Sequence, residues 1–191
     1  MQLRKVRNSG KTIWAACCAC LIVFGPPSAF ASESERDESL LKAAFVYNFA
    51  KFTRWPSGTW SGPRAAFNLC TAGNDQLAES LGRLSGETVR GHPVAIMPFE
   101  SDRADQVCHV LYIAGSEHHH FAGLIDQTRN RPVLTISQIR GFADAGGIIQ
   151  LFRAGDRVRF RINHRVARDR GLELSARLLD LAEIVDDGVA P

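Results

Sequence analysis

The chain has 191 residues and a formal charge of +3, from 23 Lys and Arg against 20 Asp and Glu, and 45% of its residues are hydrophobic. That length suits one ordinary domain able to bury a sizeable core, and the near-balance of charge gives no reason to expect a nucleic-acid partner.

The first 31 residues read as a cleaved secretion signal. Arg4, Lys5, Arg7 and Lys11 form a positive n-region, Ile13 to Phe24 an apolar h-region of 12 residues, and Ala29-Phe30-Ala31 a small-x-small cleavage site. A membrane span needs about 20 apolar residues, and Gly25-Pro26-Pro27 break this run well short of that. The expectation is an exported, released protein beginning at Ser32. The leader holds four of the basic residues and no acidic one, so the mature chain carries a formal −1. Cys17, Cys18 and Cys20 leave with it, and the C-x-x-C spacing of Cys17 and Cys20 has no fold around it to activate a thiolate.

Two cysteines remain, Cys70 and Cys108. In an oxidising compartment two lone cysteines more often pair than stay free, and closing a loop of about 39 residues constrains the unfolded chain by roughly 4 kcal/mol. A pair of buried thiols and a redox-responsive bond stay open beside that reading.

From Glu38 to Phe52 the apolar residues Leu41, Ala44, Phe45, Phe49 and Phe52 follow the i, i+3, i+4 spacing of one helix face. Trp55-Pro56 predicts the end of this helix, and Ser57 to Arg64 a loop. Short apolar runs follow at Ala66 to Thr71, Pro93 to Met97, Val107 to Ala114, Pro132 to Ile136 and Gly147 to Phe152. Helical stretches fall between them, at Asp75 to Leu84, Glu117 to Thr128 and Gln138 to Ala143. Near-continuous apolar strands alternating with helices predict a single α/β domain, 32–191, whose mostly parallel central sheet is flanked by helices on both faces.

The C-terminal part predicts an antiparallel hairpin, Ile148 to Phe152 and Arg157 to Ile162 joined at Ala154-Gly155-Asp156, and then a closing helix carrying Leu174, Leu178, Leu181 and Ala182. In the second strand Val158, Phe160 and Ile162 alternate with Arg157, Arg159 and Arg161, which puts a row of guanidinium groups on one face. Such a row needs acidic neighbours or an anionic partner; a solvated edge that resists strand pairing is the plainer account.

Chemistry-bearing motifs are scarce. His118-His119-His120 on a helix would point about 100° apart and could not all reach one ion, so no metal site is predicted. There is no G-x-S-x-G elbow, no H-E-x-x-H and no P-loop, and no enzyme is predicted. No cofactor is predicted either. The first helix is the better candidate surface, because Phe45, Val46, Tyr47, Phe49 and Phe52, with Trp55 and Trp60 beyond, exceed what one face readily buries.

The segment Leu41 to Pro56, LKAAFVYNFAKFTRWP, resembles the opening signature of the YfiR-like family, formerly a domain of unknown function. Phe67-Asn68-Leu69-Cys70 and Cys108 to Ile113 resemble its two cysteine-bearing strands, Leu134 to Gly147 its central block, and Val158 to Asn163 with Leu174 to Ala182 its ending. The resemblance runs from about Leu40 to Ile184. It implies a soluble periplasmic repressor that binds the periplasmic sensor domain of an inner-membrane diguanylate cyclase, so controlling cyclic-di-GMP and biofilm formation. It also implies an OmpA-like outer-membrane lipoprotein that sequesters the repressor, and a disulfide between Cys70 and Cys108. A homodimer is compatible with such a regulator. A second cysteine pair found in some relatives has no counterpart between Ala145 and Phe152.

On this reading Tyr47, Phe49, Lys51 and Trp55 belong to the partner surface, with Arg157, Arg159 and Arg161 as a secondary contact. The alternative is a periplasmic small-ligand module signalling to another membrane sensor, with its ligand beyond the carboxyl ends of the strands near Thr71 to Asp75 and Ala114 to Glu117.

Overall fold

The computed structural model describes residues 28–103 and 105–185. The n-region and h-region of the expected leader lie outside them. The first helix, α1, runs Ser28–Lys51, so the expected cleavage after Ala31 falls in its first turn.

Next in chain order come β1 (Thr53–Arg54), β2 (Phe67–Ala72), α2 (Gln76–Leu81), β3 (Thr88–Val89), β4 (His92–Pro98), β5 (Val110–Ile113), α3 (Phe121–Gln127) and β6 (Leu134–Ser137). The chain finishes with β7 (Ile149–Ala154), β8 (Arg157–Ile162), α4 (His164–Asp169), β9 (Glu173–Leu174), α5 (Ala176–Leu179) and β10 (Glu183–Ile184). The main sheet has eight strands in the order β10-β8-β7-β6-β5-β2-β4-β3. Strands β4, β2, β5, β6 and β7 run parallel to one another, β3 is antiparallel to β4, and β7 and β8 form the antiparallel hairpin with Leu151 opposite Phe160. Every residue of β5 and β6 is buried, as strands covered on both faces require.

Alternation sends Phe67, Leu69, Val110, Tyr112, Leu134 and Ile136 into the core under α1 and α2. It sends Cys70, Ala72, Leu111 and Ile113 into a second core under α3, with Ile125 and Phe142. The α/β architecture with both faces covered is thus as the apolar runs predict. The disulfide joins Cys70 of β2 to Cys108 just before β5, with Cα atoms 5.8 Å apart, and ties two neighbouring parallel strands.

Local chemistry ends the short helices. Asp75 caps α2 by accepting from the Ala78 amide at 2.8 Å, Asn163 caps α4 through Val166 at 3.0 Å, and Ser175 caps α5 through Leu178.

Three sequence expectations shift. The buried stripe of α1 is Ser39, Ala43, Val46, Phe49 and Ala50, whereas Leu41 and Ala44 are exposed and Phe52 is 39% exposed. Ala43 and Ala50 are buried in the core while the larger Leu41 is not, which hydrophobic size alone does not reveal. Gln138 to Ala143 is a run of turns, and the closing helix shrinks to the single turn α5. Gly141 and Gly146 both sit at positive φ, which bends the chain back toward β7 and prevents a helix there.

Candidate interaction surface and the sites around it

Side chains of α1 leave the helix in three directions. The core stripe lies between two flanks. On one flank the Tyr47 hydroxyl donates to the Thr88 carbonyl at 3.0 Å, toward β3, and the Lys51 ammonium sits 5.0 Å from the Tyr47 ring centroid. On the other flank Phe45, Phe49 and Phe160 of β8 form a ring cluster, with Phe49 and Phe160 centroids 4.8 Å apart. Over that cluster opens a depression of about 270 Å³ lined by Phe45, Asn48, Phe49, Phe52, Arg177, Leu178 and Leu181. Leu181 is 67% exposed at its rim. Phe52 and Leu181 thus leave apolar surface in water beside an apolar hollow, a grouping that recurs at interaction surfaces.

The sequence-predicted site residues therefore do not form one patch. Lys51 is exposed and Tyr47 half-buried, but Phe49 lies in the core. Trp55 is also buried, packed edge-on against Phe67 with centroids 5.2 Å apart. Val158, Phe160 and Ile162 face the α1 side of the sheet, so Arg157, Arg159 and Arg161 project from the opposite side. There Arg161 pairs with Asp144 at 2.7 Å and Arg159 lies 3.8 Å from Glu183, while Arg157 is exposed. Acidic neighbours thus meet two of the three guanidinium groups. The sequence placed Leu181 on the closing helix and Phe160 on the buried face of the hairpin strand, and no spacing within it marks either as lining the depression; only the structure brings them together over α1.

At the amino ends of β2, β4 and β5, Trp60 stacks on His92 at 4.0 Å and on His109 at 4.3 Å. The Asn68 amide donates to His109 Nδ1 at 2.9 Å, which assigns the ring proton to Nε2. Nε2 of His109 and Nε1 of Trp55 are buried without a hydrogen-bond partner among the described residues. Burial first, and the neighbouring His92 second, lower the pKa of His109 to about 4.

The crevice at the carboxyl ends of β2 and β5 is where the strand order reverses, and its two loops meet there. Gly73, at φ +74°, is packed so closely that a Cβ would stand 2.3 Å from Ser116 Oγ. Asp75 Oδ2 accepts from Tyr112 Oη at 2.8 Å and from the Gly115 amide at 3.0 Å. Burial, and then the Asp75 charge, raise the Tyr112 pKa well beyond the ordinary phenol range. The adjoining cleft of about 460 Å³ includes Glu38, Lys42, Asp75, Gln138 and Arg153. The rings of His118 and His119 touch at 3.7 Å on an exposed turn, and among the described residues no three His, Cys, Asp or Glu converge as metal ligands do. No helix among them is long and apolar enough to cross a membrane.

Comparison with protein families matches residues 39–183 to DUF4154, described as YfiR/HmsC-like. The chain belongs to the YfiR/HmsC-like family. Membership supports, at the level of the family, a periplasmic regulator of diguanylate cyclase signalling that is not an enzyme and acts with a membrane signalling partner. No curated protein matches the chain.

Proposed function

We propose that this YfiR/HmsC-like protein is a periplasmic repressor that binds the sensor domain of an inner-membrane diguanylate cyclase and holds the enzyme in its inactive state. The observation that carries this reading is the family match over residues 39–183. The apolar depression bordered by Phe52 and Leu181 supports it, since a regulator that acts by contact needs a surface able to exclude water. We take that depression as the centre of the partner face, with Phe49 as buried support beneath it, and Lys51 and Tyr47 on the opposite flank of α1 as a further contact, with Trp55 buried behind the helix. The arginine row serves as a separate, secondary contact. A preference of a few kcal/mol for the inactive sensor is enough to shift the cyclase population. An OmpA-like lipoprotein that takes up the repressor would release the enzyme.

The test is cellular cyclic-di-GMP after deletion of the gene. The level should rise, and only a complementing chain that retains residues 2–31 should reverse it. Phe52→Asp with Leu181→Asp should behave as the deletion while the purified variant stays folded. An unchanged level would reject repression and favour the small-ligand reading.

A further inference from the structure

We propose that the cavity between α3 and α4 is a binding site for the oxyanion of a small solute, a carboxylate or a phosphate, received by the Arg170 guanidinium. The cavity is about 350 Å³, and Arg129, Asp144, Arg165, Asp169 and Arg170 are the charged groups on its walls. Such a volume holds a small metabolite.

Arg170 is the unusual member. Only 7% of it is exposed, yet its guanidinium donates to Thr128 Oγ1 at 3.0 Å, to the Gly146 carbonyl at 3.2 Å and, at 3.5 Å, to the Val133 carbonyl, all of them neutral. Buried charges are ordinarily paired with an opposite charge, because neutral acceptors recover only part of the lost hydration. Two of the carboxylates nearby are engaged elsewhere, Asp126 by Arg129 and Asp144 by Arg161 at 2.7 Å, and the third, Asp169, lies exposed on the cavity wall. Burial, reinforced by Arg129 and opposed by Asp126, lowers the Arg170 pKa to about 10, so the group stays cationic at neutral pH at a cost an incoming anion would relieve. A guanidinium offers a planar fork that matches either oxyanion in bidentate fashion. The site lies on the α3 side of the sheet, away from the depression over α1, and does not depend on the repressor reading.

The purified mature chain should be melted in increasing sodium phosphate, sodium acetate or sodium chloride at matched ionic strength. A saturable rise in Tm with phosphate alone would assign a phosphate site, and with acetate alone a carboxylate site. Arg165→Gln should weaken the responding anion about tenfold, the loss of one charge-assisted contact. Asp169→Asn should tighten it, and Arg170→Lys should weaken it with the far-ultraviolet dichroism unchanged. Where Arg170→Lys fails to fold, the other two variants decide, because both positions are exposed. Chloride reproducing the rise, or Arg165→Gln and Asp169→Asn both responding as the parent does, overturns the site.

Discussion

Arg153 of β7 donates to Glu38 of α1 at 2.6 Å across 115 residues of chain, and Lys42 meets the other oxygen of that carboxylate at 2.6 Å. Lys42 also reaches Gln138 at 2.5 Å, and Gln138 donates to Tyr112 Oη at 3.0 Å, so a polar chain runs from the middle of α1 into the sheet. The hydrogen bond from Lys42, helped by Arg153, holds the Glu38 carboxyl below its ordinary pKa.

Glu38→Gln should therefore lower stability by about 0.5 to 1 kcal/mol at pH 7, the range for ion pairs open to water. A depressed carboxylate stabilises above its unfolded pKa and loses that contribution as pH falls through its folded one. Urea melts of parent and variant should accordingly differ at pH 7 and converge at pH 3; a gap that persists in acid would contradict the assignment.

His109 has the same sign for a different reason. Its folded pKa of about 4 lies below the unfolded value, so the unfolded chain binds the extra proton first as pH drops from about 6.5 to 4. Stability contributed above that window should fall within it by on the order of 2 kcal/mol. A proton on Nδ1 would also face the Asn68 amide it now accepts from. Trp60 fluorescence should report the loosened stack, and His109→Gln should flatten the pH profile.

The Cys70–Cys108 bridge closes a separation of 38 residues. Replacing both by Ala should cost roughly 4 kcal/mol by loop entropy, read from urea midpoints, with the fold retained because the parallel ladder between β2 and β5 persists. Loss of the fold would mean that this bridge, and not the core, decides foldability.

Gly147 is packed against the Phe142 ring so closely that a Cβ would stand 2.2 Å from its nearest carbon, and Phe142 is fully buried. Gly147→Ala should destabilise by about 2 kcal/mol, as overpacking of a dense core does. Gly123→Ala, where nothing lies within 4 Å, is the control and should leave the midpoint unchanged or raised.

Much of this architecture was legible in the residues themselves. Near-continuous apolar runs such as Val110 to Ile113 mark strands buried on both faces, because a strand with one wet face would alternate. Alternation from Arg157 to Ile162 marks the hairpin strand, and the family signature from Leu41 to Pro56 marks the kinship. These are local signals, written by period and composition. Which face of α1 is buried, that Phe49 and Trp55 lie inside while Phe52 and Leu181 stay in water, and that the arginine row faces away from α1 were settled only in three dimensions. The reason is that burial is shared among elements distant in sequence: Ala43 and Ala50 rank low as hydrophobes yet are buried in the core cluster with residues of β2, β5 and β6. The charge on Arg170 likewise has neutral partners from the ends of α3 and β6 and from the turn before β7, which no spacing within the sequence brings together.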